Sequence, residues 1–121
     1  MPARSEHLEQ ARRNRAFAER ILREWGDDET AIQWAVTAVF CAAVHYVDAY
    51  LAEFNQHPKS HEQRTYLLQT APDDFYVAYR SLYDASRQAR YDARRFRPDQ
   101  VEALLIGVHL RVIASTLGAA Y

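Results

Sequence analysis

The residues that could do chemistry in this sequence fall into two histidine groupings and one arginine-rich segment. His45 and Asp48 stand three positions apart where the apolar stretch Ala35–Val44 runs on towards Leu51. On a helix that spacing places both side chains on one face, within reach of each other. A carboxylate beside an imidazole orients the ring and raises its proton affinity, as a general base or a metal ligand requires. A hydrogen-bonded buried pair would account for the same two residues, because polar groups on so apolar a helix need partners in any case. His57 and His61 have an i, i+4 spacing, but Pro58 lies between them and interrupts a shared helical face. No supporting carboxylate spacing accompanies them, and no metal or cofactor is expected.

The third grouping is Ser86 to Arg97, which holds Arg87, Arg90, Arg94, Arg95 and Arg97 with Tyr91 and Phe96 interleaved. Guanidinium forks suit phosphate, and aromatic rings offer faces on which bases stack. A solvated helix end, where Arg complements the dipole, would explain Arg87 and Arg90 as well. There is no Gly-rich phosphate loop, no nucleophile elbow and no paired-carboxylate motif of the di-iron kind. The candidate phosphate or RNA contacts are therefore Arg87, Arg90, Tyr91 and His61, and the candidate catalytic groups are His45, Asp48 and His61.

Helices must position these groups. With 121 residues the chain is the size of one domain, and only 3 Gly and 4 Pro leave little material for the turns of an all-β fold. Apolar residues at helical rhythm predict a first helix over 5–24, closed by Gly26 as a left-handed stop, with Asp27 to Thr30 capping the next. The second helix, Thr30 to Phe54, is apolar on nearly every side and reads as a central beam surrounded by protein, with Trp34, Phe40, Tyr46 and Tyr50 filling volume. Pro58 ends that pattern, and Ser60 with Gln63 forms a capping box for a short helix over His61 to Gln69. Pro72 opens a fourth helix reaching about Gln88, and 91–97 is an irregular basic connection. Pro98-Asp99 starts a last helix that carries Val101, Leu104, Leu105, Val108 and Leu110 and frays at Gly118. The expected fold is all-α: an antiparallel up-and-down bundle of four long helices and one short one, with a core over about 28–119 and an N-terminal helix over about 5–25.

The charge balance narrows the function classes. Net charge is -1, so no global positive field gathers nucleic acid or anionic lipid, and any polyanion site must be local. Of the 15 basic residues 14 are Arg and one, Lys59, is Lys, a bias that coding composition explains without a ligand. Cys41 is the single cysteine, which excludes an intramolecular disulfide or a Cys-based zinc site. The polar start lacks a secretory apolar core, and no membrane span is expected. A cytoplasmic location follows as the expectation.

Several of these pieces together are similar to a known family. The order is Ala38-Val39-Phe40-Cys41-Ala42-Ala43-Val44-His45-Tyr46-Val47-Asp48-Ala49-Tyr50-Leu51, then Pro58-Lys59-Ser60-His61, then Leu82 to Tyr91, then a closing amphipathic helix. It resembles the HEPN domains (higher eukaryotes and prokaryotes nucleotide-binding), in particular the small stand-alone bacterial members, over roughly Ala35 to Leu117. The resemblance implies a helical bundle, often a homodimer, with a polar groove that binds or cuts RNA. It also implies a bacterial toxin–antitoxin or defence setting, with a nucleotidyltransferase-type antitoxin as a possible partner. The family's ribonuclease signature, Arg followed after four to six residues by His, does not occur here. Where stand-alone members carry Ala-Asp-Tyr, this chain has Ala89-Arg90-Tyr91.

Three functions stay open on these residues. One is a protein that binds RNA or nucleotide phosphate through Arg87, Arg90, Tyr91 and His61 without the usual cleavage site. Another is a metal-independent ribonuclease with a rearranged site of His45, Asp48, His61 and Arg87. The third is a homodimeric interaction module that holds no ligand and displays Tyr and Trp on a flat helical face.

Overall fold

A computed structural model describes residues 2–119 and 121, and among them every regular element is helical. Helix α1 is Arg4–Trp25 and α2 is Glu29–Ala52. The short α3, His61–Leu67, runs into a single 3-10 turn at Leu68–Thr70, and α4 is Asp73–Tyr91. The closing helix, α5 here, covers 98–116 as one continuous run whose middle, Val101–Leu110, is wound as a π-helix before Arg111–Thr116 returns to α geometry.

The ends follow local chemistry. Asp28 caps α2 by accepting from the Thr30 and Ala31 amides at 2.9 and 3.1 Å. Ser60 Oγ accepts from the Gln63 amide at 3.1 Å, while Gln63 Oε1 accepts from the Lys59 amide at 2.7 Å. The expected box is therefore present, displaced by one residue on its return arm. Pro72 stands as the cap of α4, one position before the helix, and Pro98 occupies the first turn of α5.

Gly26 corrects the sequence reading, since its φ of -64° is right-handed. Space explains the glycine instead: a Cβ there would lie 2.6 Å from the Leu22 carbonyl oxygen. The left-handed stops are elsewhere, at Gly118 with φ +67° and at two non-glycine residues, Asn55 and Ala93.

The core runs along α2, which buries Ala35, Val36, Val39, Ala42, Ala43, Tyr46 and Val47 among others. α1 is not peripheral to it: Leu8, Ala11, Ala18 and Ile21 are buried against the same cluster, with Phe75, Tyr79 and Leu82 of α4 on another side. The start of α1 is tied to the end of α2 by Arg4 Nε–Glu53 Oε1 at 2.6 Å, and Arg4 also donates to the Leu117 carbonyl at 3.1 Å. α2 has the length and hydropathy of a membrane span, but 67% of that apolar window is buried inside the protein, as in a core helix. The beam is not enclosed all round, because Trp34 is 60% exposed rather than filling core volume.

Candidate functional site

Tyr79, Tyr83, Arg87 and Tyr91 follow one another at four-residue steps along α4, so they form a single row that runs from the buried Tyr79 out to the exposed Arg87 and Tyr91. The row is built of stacked cations and rings. Arg87 lies 5.9 Å from the centre of the Tyr83 ring and 5.2 Å from that of Tyr91. Arg80 covers Tyr83 at 4.7 Å, and Arg90 covers Tyr91 at 5.0 Å. All fall within the range where a guanidinium is drawn to the negative face of a ring. Arg90 is held further by a 3.3 Å hydrogen bond from its Nε to the Ser86 carbonyl.

His61, at the start of α3, closes onto this row. Its ring centre is 5.4 Å from Phe40 of α2 and 5.8 Å from Tyr83. His61, Thr65, Arg80 and Tyr83 share a cavity of about 420 Å³ with Glu62 on its rim. Burial pushes the His61 imidazole below its ordinary value, and the charges of Arg64 and then Arg90 push in the same direction against Asp48. Cys41 of α2 is exposed at its edge, and partial desolvation holds its thiol above the ordinary value while the charge of Arg90 opposes this.

Charge pairing occupies many of the arginines, though among the described residues Arg12, Arg23, Arg94 and Arg111 have no carboxylate within 4.0 Å. Arg13, Arg15, Arg20 and Arg80 form ion pairs with carboxylates one turn away on their own helices, and Arg95 and Arg97 have Glu29 and Asp99. Among the described residues neither Arg87 nor Arg90 has a carboxylate within 4.0 Å, and both are exposed. Their neighbours are the rings, the Ser86 carbonyl and, for Arg90, the Tyr91 hydroxyl 3.5 Å from its Nη1. The sequence reads the α4 aromatics, Tyr79 and Tyr83 among them, as core, which holds for Tyr79, whereas Tyr83 is half-buried and packed against Arg80 and Arg87.

The expected His45–Asp48 contact does not form. Both carboxylate oxygens of Asp48 are taken by Arg64 of α3, at 2.7 Å from Nε and 3.0 Å from Nη2. A planar fork offers two parallel charge-assisted bonds, which an imidazole cannot match, so the arginine wins the carboxylate. His45 turns instead to His7 of α1, with the two Nδ1 atoms 3.1 Å apart. Burial lowers the proton affinity of His45 first, His7 adds to that, Asp48 works against both, and Arg64 lowers it further. Their cleft, about 310 Å³, is lined also by Glu6, Glu9 and Arg13. His45 and His61 thus open into different cavities, and Asp48 faces neither as a free carboxylate. Among the described residues no three His, Cys, Asp or Glu side chains are grouped to hold an ion.

A second surface lies between α1 and α2. Phe17, Trp25 and Trp34 are 53, 48 and 60% exposed and line an apolar groove of about 540 Å³ that reaches Cys41.

No family model matches the chain, and comparison with curated proteins and with solved structures likewise finds no match.

Proposed function

We propose that this chain is a HEPN-like antiparallel bundle that binds RNA or nucleotide phosphate along the α3–α4 face, without the usual HEPN cleavage site. One observation carries the reading: Arg87 and Arg90 are exposed, have no carboxylate partner among the described residues, and are stacked with Tyr83 and Tyr91 beside His61. Cations held over rings are ordered before a ligand arrives, and the exposed Tyr91 ring offers a π-surface to an unpaired base. With a net charge of -1 the attraction is local, so the ligand it fits is a short single strand or a nucleotide rather than a long duplex. The setting proposed with it is a cytoplasmic bacterial toxin–antitoxin or defence pair, with a nucleotidyltransferase-type protein as partner and a homodimer as the working form.

Fluorescence anisotropy with a labelled single-stranded RNA, at 50 and 250 mM salt, tests the reading. Binding at low salt is expected to weaken at high salt, with the slope of log affinity against log salt about 0.7 per phosphate neutralised. Replacing both arginines (Arg87→Ala with Arg90→Ala) removes two such contacts and is expected to cost at least tenfold. No binding by the wild type at low salt, or none lost in the double variant, overturns it. That outcome leaves the interaction-module reading, favoured by the exposed Phe17, Trp25 and Trp34. The rearranged ribonuclease has no such support, because His45, Asp48 and His61 do not open into one cavity.

A further inference from the structure

His7 and His45 lie outside the proposed phosphate face. His7 enters from the first turn of α1 and is buried, while His45 comes from the last third of α2 and is half-buried. Their rings are tilted by 37° with centres 5.3 Å apart, and the like atoms Nδ1 face each other at 3.1 Å. Two neutral imidazoles satisfy that geometry only if one Nδ1 keeps its proton and the other is bare. A shared cation satisfies it equally. With imidazole–metal bonds of about 2.0–2.1 Å, the 3.1 Å separation gives an angle at the metal of about 100°, between square-planar and tetrahedral.

We propose that His7 and His45 form a two-histidine chelate for a divalent first-row transition ion, bridging α1 and α2. The chelate opens on the 310 Å³ cleft, from which water supplies the remaining positions. Nearby carboxylates are already committed: Asp48 to Arg64, Glu9 to Arg13 and Glu6 to the Ala3 amide. The site is therefore incomplete on protein ligands alone, and its ion keeps exchangeable positions for a small anionic or nitrogen ligand. Imidazole pairs follow the general order of these metals, with Cu²⁺ above Ni²⁺ and Zn²⁺. Because each ligand sits on a different helix, the ion binds the folded chain alone and stabilises it.

Calorimetric titration of the full chain with CuCl₂, NiCl₂ and ZnCl₂ at pH 7.5, paired with thermal melts, tests the proposal. One ion per chain is expected, with a higher Tm in each metal and the tightest binding for copper. Nitrogen hyperfine structure from two imidazoles is expected in the electron paramagnetic resonance of the copper form. His7→Ala and His45→Ala should each weaken binding at least tenfold and abolish the rise in Tm, whereas His109→Ala should change neither. Should an alanine variant not fold, His45→Gln retains a polar side chain and reads the same loss. Absence of uptake by the folded wild type, or uptake unchanged in the His7 and His45 variants, overturns the chelate.

Discussion

Asp48 and Arg64 show how far a single residue can be read from spacing. Their side chains are 12 and 13% exposed, and the pair fastens α3 to α2 through two bonds. Removing one partner strands the other charge in a poorly solvated place. Asp48→Ala is expected to lower unfolding free energy by about 3 kcal/mol, while Asp48→Leu combined with Arg64→Met should cost clearly less. Urea titrations of the wild type, each single variant and the double variant check this; a double variant as unstable as the sum of the singles contradicts it. A carboxylate on so apolar a helix demands a partner, and Asp48 has one in Arg64. Helical spacing names His45 as a candidate but is blind to Arg64, sixteen positions away across a proline turn. The arginine row suffers less from this blindness, because Tyr79, Tyr83, Arg87 and Tyr91 all belong to one helix and one spacing rule.

Among the elements, the end of α4 carries local strain. Ala93 has a φ of 54° where it turns the chain out of the helix, and the Asp92 and Arg94 amides both return to the Gln88 carbonyl at 3.1 Å. An alanine in the left-handed region costs about 1–2 kcal/mol, part of which glycine recovers at the expense of unfolded-chain entropy. Ala93→Gly is expected to stabilise by about 0.5–1 kcal/mol, measured as a rise in Tm, and a fall would show that another contact fixes this turn. The helices themselves were evident from capping residues and apolar rhythm, with bounds within a few positions. The winding of α5 was not. Its buried residues are Val101, then Leu105 and Ile106, then Leu110, a wider step than the later Leu110, Ile113–Ala114 and Leu117. That wider step matches i→i+5 winding, so the sequence does hold the signal. Reading it at 3.6 residues per turn puts Leu104 and Val108 inwards, whereas they are 41 and 46% exposed.

At the scale of the whole molecule, three histidines bias the response to acid in one direction. His45, His61 and His109 are all shifted below 6.5, in each case with burial as the largest cause. The unfolded chain therefore takes up more protons than the folded one as pH falls through 6.5, and the stability held above that value is lost below it. The urea midpoint is expected to be lower at pH 5.5 than at pH 7.5, and a midpoint that rises on acidification contradicts the assignment. The all-helical class was readable because length, composition and caps agree. Which helix faces stay open was not, since Phe17, Trp25 and Trp34 have core-like chemistry and a surface position.

The Arg4 clasp has a practical corollary. By binding Glu53 and the Leu117 carbonyl it gathers residues near both chain ends at one pole. Gln33 Nε2 donates to the Arg94 carbonyl, and Arg95 pairs with Glu29, so the basic connector sits at the opposite end of α2, roughly 30 Å away at 1.5 Å per residue. A tag, a tether to a sensor surface or a fused neighbour joined beside Arg4 or Leu117 is thereby held clear of the connector and leaves it facing solution.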